Sequence, residues 1–387
     1  MPTNRITMVD ALRGWALLGL FLVHCAEYFE LHWLDPQSSF WFDATFAIFS
    51  GKAFAIFALL FGFGFATIMG NERERGGDFA LRFGWRLVLL FAIGTLHALI
   101  YRGDILQVLA AVGLVMIPFD RVKSGSVLLV VAALLFVQFP LLFRAYSAVG
   151  GAEWAQANPG FWGDSGLAIL ANGGFAEMLG VNASAGMRMK WSFYLETGRI
   201  IEIAGLFLVG MVVQRKGWFA DLPAHRNLWL GVLAASALIW LALYWFAAAL
   251  LPASPPDGAP MQRQSMEWAS GQWSALAATA FQVSAFVLLW DLGAKPALAW
   301  LGAPGRMTLT LYVGQSLVCV PILYGFGAGL WDDLSHAQLL LAGIALFAMQ
   351  AAGAALWYRH YRYGPLEWLW RAGTKGTLDV PMRKAAT

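Results

Sequence analysis

The stretch RITMVDALRGWALLGLFLVHCAEYFEL (residues 5–31) stays apolar from Ala11 past Tyr28 yet keeps Arg13 and His24 inside the run. A helix needs about 20 mostly apolar residues to cross a bilayer. No small-residue cleavage site interrupts the run, as a signal peptide would require, so it is expected to remain as a first membrane helix. The whole chain has the same character. At 59% apolar, about 228 of its 387 residues are hydrophobic, and only 13% are charged, about half the usual globular share of about 25%. Nineteen Trp, 28 Phe and 10 Tyr add the aromatic load expected at membrane interfaces. A soluble, disordered or disulfide-built chain is excluded.

Apolar runs at 11–31, 46–70, 79–100, 105–119, 125–147, 193–213, 228–251, 272–290, 307–330 and 337–357 predict an all-α polytopic bundle of about ten transmembrane helices. The short run 105–119 stands before a long, well-formed one at 125–147. Basic residues sort by side when the spans alternate. Arg73, Arg75, Arg82, Arg86, Arg121, Lys123, Arg215, Lys216, Arg226 and most C-terminal Arg and Lys fall on one side with Arg5, while few, Arg102 and Arg263 among them, fall on the other. Positive charge concentrates in cytoplasmic loops, so both termini are expected inside. The organisation is five spans in 1–147, an external connection at 148–192 with short interfacial helices and the length of a functional lid, and five spans in 193–387. The 252–271 segment reads as a second external loop, and GPLEWLWRAGTKG as a short helix on the inner surface beginning at Pro365. Asn182-Ala-Ser184 fits the glycosylation pattern, a match common by chance.

Cys25 and Cys319 provide neither a disulfide framework nor a metal site, and no metal is expected. A net charge of +3 without a basic tract excludes nucleic acid as a partner.

Charged groups inside a bilayer cost about 2.5–3.5 kcal/mol each, so those present are functional candidates. Thr7 and Asp10 have capping-box spacing, and Asp10 can pair with Arg13 one turn on, a structural reading. Arg13 and His24 are eleven residues apart; at about 100° per residue they share a face and lie about 16 Å apart along the axis. They mark a polar stripe that must face protein or water. The same spacing recurs at Arg86 and His97. His97 is followed by Tyr101 and Asp104, on the same face if the helix continues past Gly103, and a carboxylate beside an imidazole makes it a stronger base. The plainer reading is a Gly103-Asp104 turn. Glu196, Arg199 and Glu202 are candidate substrate contacts, or else a self-neutralising ladder at three-residue steps. Lys52 is a further contact, or a snorkelling side chain. In FAIFALLFGFGF (54–65), Gly62 and Gly64 are expected to let helix backbones approach.

RITMVDALRGWALLGLFLVH (5–24), GKAFAIFALLFGFGFA (51–66), RLVLLFAIGTLHALIYRGDIL (86–106), GRMTLTLYVGQSL (305–317) and GPLEWLWRAGT (364–374) together resemble the YeiB-like family of bacterial inner-membrane proteins. That family's C-terminal domain of unknown function corresponds to about 225–380, where Arg306, Glu367 and Trp368 take structural roles. The N-terminal part is similar to multi-helix membrane acyltransferases of the O-antigen acetylase and heparan-alpha-glucosaminide N-acetyltransferase types. Their first helix uses an Arg and a His with ten residues between them, a spacing met here by Arg13 and His24. The resemblance implies transfer of an acyl group, usually acetyl, from cytoplasmic acetyl-CoA or another acyl-CoA to a sugar or lipid acceptor outside, by a protein surrounded by membrane lipids and forming a homodimer. On this reading His24 is the general base or a transient acyl carrier, and His97 and Asp104 are a second base or an acceptor anchor. Arg13, Arg73, Arg75, Arg82 and Arg86 hold the donor, Arg binding phosphate in a bidentate manner. A transporter or lipid-handling protein with a proton or substrate path is the alternative, and a haem or quinone protein with His24 and His97 as axial ligands is a third.

Overall fold

The computed structural model describes residues 5–74, 80–251 and 260–384. These fold into helices: α1 Thr7–Ala26, α2 Phe40–Phe49, α3 Lys52–Glu74, α4 Ala80–Ile100, α5 Leu106–Met116, α6 Gly125–Phe136, α7 Phe139–Val149, α8 Met187–Glu196, α9 Arg199–Arg215, α10 Arg226–Leu250, α11 Pro260–Leu289, α12 Thr308–Leu323, α13 His336–His360 and α14 Pro365–Lys375. Local chemistry sets many of the starts. Ser39 accepts from Phe42 N (3.1 Å), Ser124 from Val127 N (3.3 Å), and Ser335 with Gln338 forms a capping box at α13. Pro365 opens α14.

Among the described residues seven helical stretches are long and apolar enough to cross a membrane. The remaining predicted spans fall on α5, α9 and α12, of 11, 17 and 16 residues, shorter than the about 20 a perpendicular span needs. Leu96, Leu134, Phe139, Leu238 and Leu341 stand exposed on helix surfaces, an apolar exterior suited to lipid and costly in water.

Several expectations are revised. Thr7 does not cap α1, whose flanking residue is Ile6; Asp10 instead accepts from Arg5 and, at 3.3 Å, from Arg13. Regular helix stops at Ala26, and the chain turns through Tyr28, Phe29 and Glu30 at positive φ (49°, 52° and 87°). The 125–147 span is broken at Gln138 (φ 60°). Its side-chain Nε2 donates to Gly198 O at 3.2 Å, tying the break to a neighbouring turn. From Pro260 the 252–271 segment is already helix; 252–259 lie outside the described residues.

Close helix packing relies on missing side chains. A Cβ on Gly62 would come within 2.0 Å of Phe207 O, and one on Gly210 within 2.0 Å of Leu59 O, so α3 and α9 meet backbone to backbone. Gly64 does something else: its Cβ position is 3.6 Å from an Arg13 nitrogen. The short helix Gly302–Arg306 meets α1 in the same way as α3 meets α9, since a Cβ on Gly305 would fall 1.8 Å from Asp10 O.

Candidate functional site: two cavities along the first helix

The polar stripe of α1 borders two internal spaces. One, of about 270 Å³ at the Arg13 end, is lined by Arg13, Arg86, Arg306, Glu367 and Trp370 among apolar walls such as Phe57, Leu90 and Leu109. The other, of about 550 Å³ at the His24 end, is lined by His24, Glu27, Glu30, Arg102, Lys190 and Arg199 among aromatic rings. Leu20, Ile105 and Tyr312 line both. The two spaces therefore lie on either side of these shared residues, one toward Arg13 and the other toward His24.

At the Arg13 end the guanidiniums come from three elements. Arg13 is paired with Asp10 at 3.3 Å. Arg86 lies over the Trp370 ring at 3.9 Å, and Trp370 Nε1 donates back to Arg86 O at 2.8 Å. Arg306 lies over the Tyr358 ring at 3.8 Å. The Nε atoms of Arg86 and Arg306 are buried without a hydrogen-bond partner, leaving donors for an anion. Glu367 accepts from Thr310 N (3.1 Å) and Thr310 Oγ1 (2.6 Å), so α14 caps the first turn of α12 and covers this mouth. Trp368 donates to Val380 O at 2.8 Å, a purely structural contact. The other predicted donor contacts lie elsewhere. Arg73 pairs with Asp120, which also holds Arg215; Arg82 is exposed; Arg75 lies outside the described residues. Arg306 joins Arg13 and Arg86 instead, through a tertiary contact.

At the His24 end the imidazole is almost fully buried among Tyr101 (4.9 Å between ring centroids), Phe29 (5.7 Å) and Tyr312 (6.1 Å). The left-handed turn after α1 brings Glu27 and Glu30 onto the same wall. Neither was among the sequence candidates, although both lie inside the first apolar run at three-residue steps from His24. The 148–192 connection covers this space with Phe161, Trp162, Leu167 and Lys190. Lys190 donates to Gln107 Oε1, and burial pushes its ammonium down to about 8, opposed by the nearby Asp104 carboxylate. Asn182 is buried and donates to Leu99 O at 2.9 Å, which leaves no room for a glycan.

His97 and Asp104 line neither cavity. Helix α4 ends at Ile100, and the turn that follows still brings Asp104 Oδ2 to 2.7 Å from His97 Nδ1, while Asp104 Oδ1 accepts from Gln107 N at 3.2 Å. The turn and the pair are thus one feature. Tyr101 and Tyr312 pack against both imidazoles, and His24 lines a cavity that His97 does not, so the two rings do not face one shared space as a pair of axial ligands would. Removing one member of a buried pair typically costs about 3–5 kcal/mol. Asp104→Ala is expected to lower thermal stability by that order and Asp104→Asn, which keeps an acceptor for Gln107 N, by much less. Equal melting temperatures for the two variants would show that the pair does not hold this turn.

Glu196, Arg199 and Glu202 do not form a ladder, because Gly198 (φ 76°) ends one helix between Glu196 and Arg199. Glu196 instead accepts from Gly160 N at 2.9 Å and pairs with Arg144 at 3.4 Å. Arg199 lies over the Phe54 and Phe193 rings at 4.8 and 5.2 Å. Glu202 is buried with both carboxylate oxygens unpartnered. Lys52 donates to Phe46 O at 3.2 Å and lines neither cavity.

Residues 213–377 match a family described as protein of unknown function (DUF418). Along nearly its whole length the chain is similar to three proteins described as uncharacterized. It is 28% identical over 406 residues to YxaH of Bacillus subtilis (strain 168), covering 97% of this chain and 95% of that protein. It is 27% identical over 412 residues to YeiB of Escherichia coli (strain K12), covering 95% and 96%. A 39.9 kDa protein of Bacillus acidopullulyticus is 26% identical over 390 residues, covering 96% and 94%.

Proposed function

We propose that this chain, YeiB-like along nearly its whole length, transfers an acyl group across a bacterial inner membrane. The donor, acetyl-CoA or another acyl-CoA, enters the Arg13-side cavity from the cytoplasm, and a sugar or lipid acceptor enters the His24-side cavity from outside. One observation carries the reading: the two cavities share Leu20, Ile105 and Tyr312 as wall residues, with three guanidiniums lining one and an imidazole lining the other. In this arrangement α5, α9 and α12 complete ten spans with both termini inside, as the distribution of Arg and Lys favours.

The residues present suit such a donor. Arg13, Arg86 and Arg306 would hold its anionic groups, and the unpartnered Nε atoms of Arg86 and Arg306 supply buried donors for them. When bound, the donor supplies an acyl carbon activated as a thioester. The apolar walls around Leu20, Phe57 and Leu109 offer water no hydrogen-bond partner beside the donor. His24 would accept the proton of the acceptor hydroxyl or amine as that oxygen or nitrogen bonds to the acyl carbon and the donor's C–S bond breaks, and would return the proton to the departing thiolate; alternatively it would carry the acyl group transiently, the same C–S bond breaking first.

The test is calorimetric titration of acetyl-CoA into the purified chain, with Arg86→Gln beside it. Saturable binding is expected, weakened about tenfold or more by the variant, the size of one lost hydrogen bond to a charged group. The unpartnered Glu202 carboxylate, buried in α9, favours a second reading, a proton-coupled path for a small solute. No binding at millimolar acetyl-CoA would leave that reading standing and remove the first.

A further inference from the structure

We infer that the ligand of the His24-side cavity is dipolar, presenting a cationic amine to Glu27 and Glu30 and an anionic phosphate to Arg102 and Arg199. Only in calling this ligand the acceptor does the inference rest on the acyl-transfer reading.

The cavity wall carries charges of both signs that do not neutralise one another by contact. Glu27 lies in the field of Arg199, and Glu30 in that of Arg102. Yet among the described residues neither carboxylate joins a cation within ion-pair distance, while Asp10, Asp120, Glu196 and Asp291 all do. Arg102 is buried and Glu27, Glu30 and Arg199 are half-buried, and charges set this far inside a membrane protein are costly unless something pairs them. A ligand bearing the opposite pair of charges completes both contacts at once.

The cations are prepared for an anion. Arg102 is only 5% exposed. Its Nε donates to Asn182 Oδ1 at 3.0 Å and its Nη1 to Ser165 O at 2.6 Å, which fixes the guanidinium plane. The remaining Nη2 is buried without a partner, on a residue that lines the cavity. Arg199 is held by two aromatic faces rather than by a carboxylate, so its N–H edges stay available.

The acids are held in place by backbone that L residues rarely adopt. Three consecutive positive φ values at Tyr28, Phe29 and Glu30 are costly and persist where surrounding contacts over-determine them. Here Tyr324 donates to Phe29 O at 2.7 Å and Tyr28 to Leu334 O at 2.8 Å. Opposite them Gly103 leaves the space clear, since a Cβ there would fall 2.8 Å from Glu30 Oε1 and 2.4 Å from the Tyr101 hydroxyl. At about 550 Å³ the cavity has the size of a small-molecule site rather than of a bare-ion site. An amine and a phosphate within one small group occur in a phosphoethanolamine lipid headgroup and in soluble amino-phosphates.

The test uses the full chain purified in non-ionic detergent. Calorimetry with O-phosphoethanolamine is compared with ethanolamine, inorganic phosphate and uncharged glucose. Native mass spectrometry compares retention of dioleoyl-phosphatidylethanolamine with that of dioleoyl-phosphatidylglycerol. The dipolar probe is expected to bind about tenfold or more tightly than either half, and Glu27→Gln and Arg199→Gln are each expected to weaken it by about the same factor, one charged contact apiece. Selective lipid retention assigns the headgroup as the source, and binding of O-phosphoethanolamine alone assigns a soluble one. Glucose binding as well as the dipolar probe, or both variants binding like the parent, would overturn the inference. Acetyl-CoA titrated into the same preparation separates the two conclusions. Donor binding without the dipolar probe removes only the ligand class, and the reverse removes only acyl transfer.

Discussion

A His24→Ala protein is expected to lose acyl transfer by about 10²–10⁴-fold, the usual contribution of a positioned general base, while still folding and binding donor. The imidazole borders an existing cavity, so truncating it enlarges a space that is already present and leaves Phe29 packed against Tyr101 and Tyr312 against His97. His24→Gln separates base from shape, because it keeps a polar side chain of similar reach but cannot take a proton at neutral pH. Both variants should fail equally if His24 handles a proton or carries the acyl group. Measurement of transfer to an identified acceptor in oriented vesicles checks this, and full activity in His24→Ala would remove the assignment. Arg13 lines the other cavity, so its loss is expected to appear in donor binding rather than in proton transfer.

Gly210→Leu is expected to prevent stable folding. Its Cβ alone would lie 2.0 Å from Leu59 O and 2.8 Å from Phe63 N, both main-chain atoms of α3 that cannot rotate away. Overpacking a core commonly costs about 1–3 kcal/mol, and separating two helices that touch by their backbones costs more, against a total stability of about 5–15 kcal/mol. The variant should elute as aggregate on size exclusion, whereas Gly231→Ala, where a Cβ meets nothing within 4 Å, should change stability by no more than about 1 kcal/mol, the helix-propensity difference. A monodisperse Gly210→Leu protein with an unchanged melting temperature would contradict the backbone contact. α9 carries both this contact and the buried Glu202, so its packing against α3 also sets the surroundings of that carboxylate.

Much of the site could be foreseen because helix geometry is local. The spacing of Arg13 and His24 fixes a shared face whatever packs against it, and both residues do border internal space, one cavity each. Pro365 and the tryptophans after it likewise announced a helix that now covers one mouth. Where periodicity was carried past a break it misled. Gly198 removes Arg199 from the helix of Glu196, and the turn after Ile100 brings Asp104 to His97 by bending rather than by helical register. Glu27 and Glu30 were in view as carboxylates inside an apolar run. What marks them is the left-handed turn, and no residue type there predicts it, since Tyr, Phe and Glu seldom adopt positive φ.

From composition and hydropathy alone come the membrane class, the helical architecture and the polar stripe on the first helix, because the bilayer demands apolar length and satisfied backbone in every segment separately. The three-dimensional packing alone decided which cations converge. Arg306 lines one cavity with Arg13, nearly three hundred residues before it, and with Arg86, more than two hundred before it, and Arg102, Lys190 and Arg199 reach the His24 wall from a connection and two different helix ends. Those encounters depend on helices touching through glycine and on turns closed by distant hydrogen bonds, energies that belong to pairs of segments and leave no periodic mark on either one.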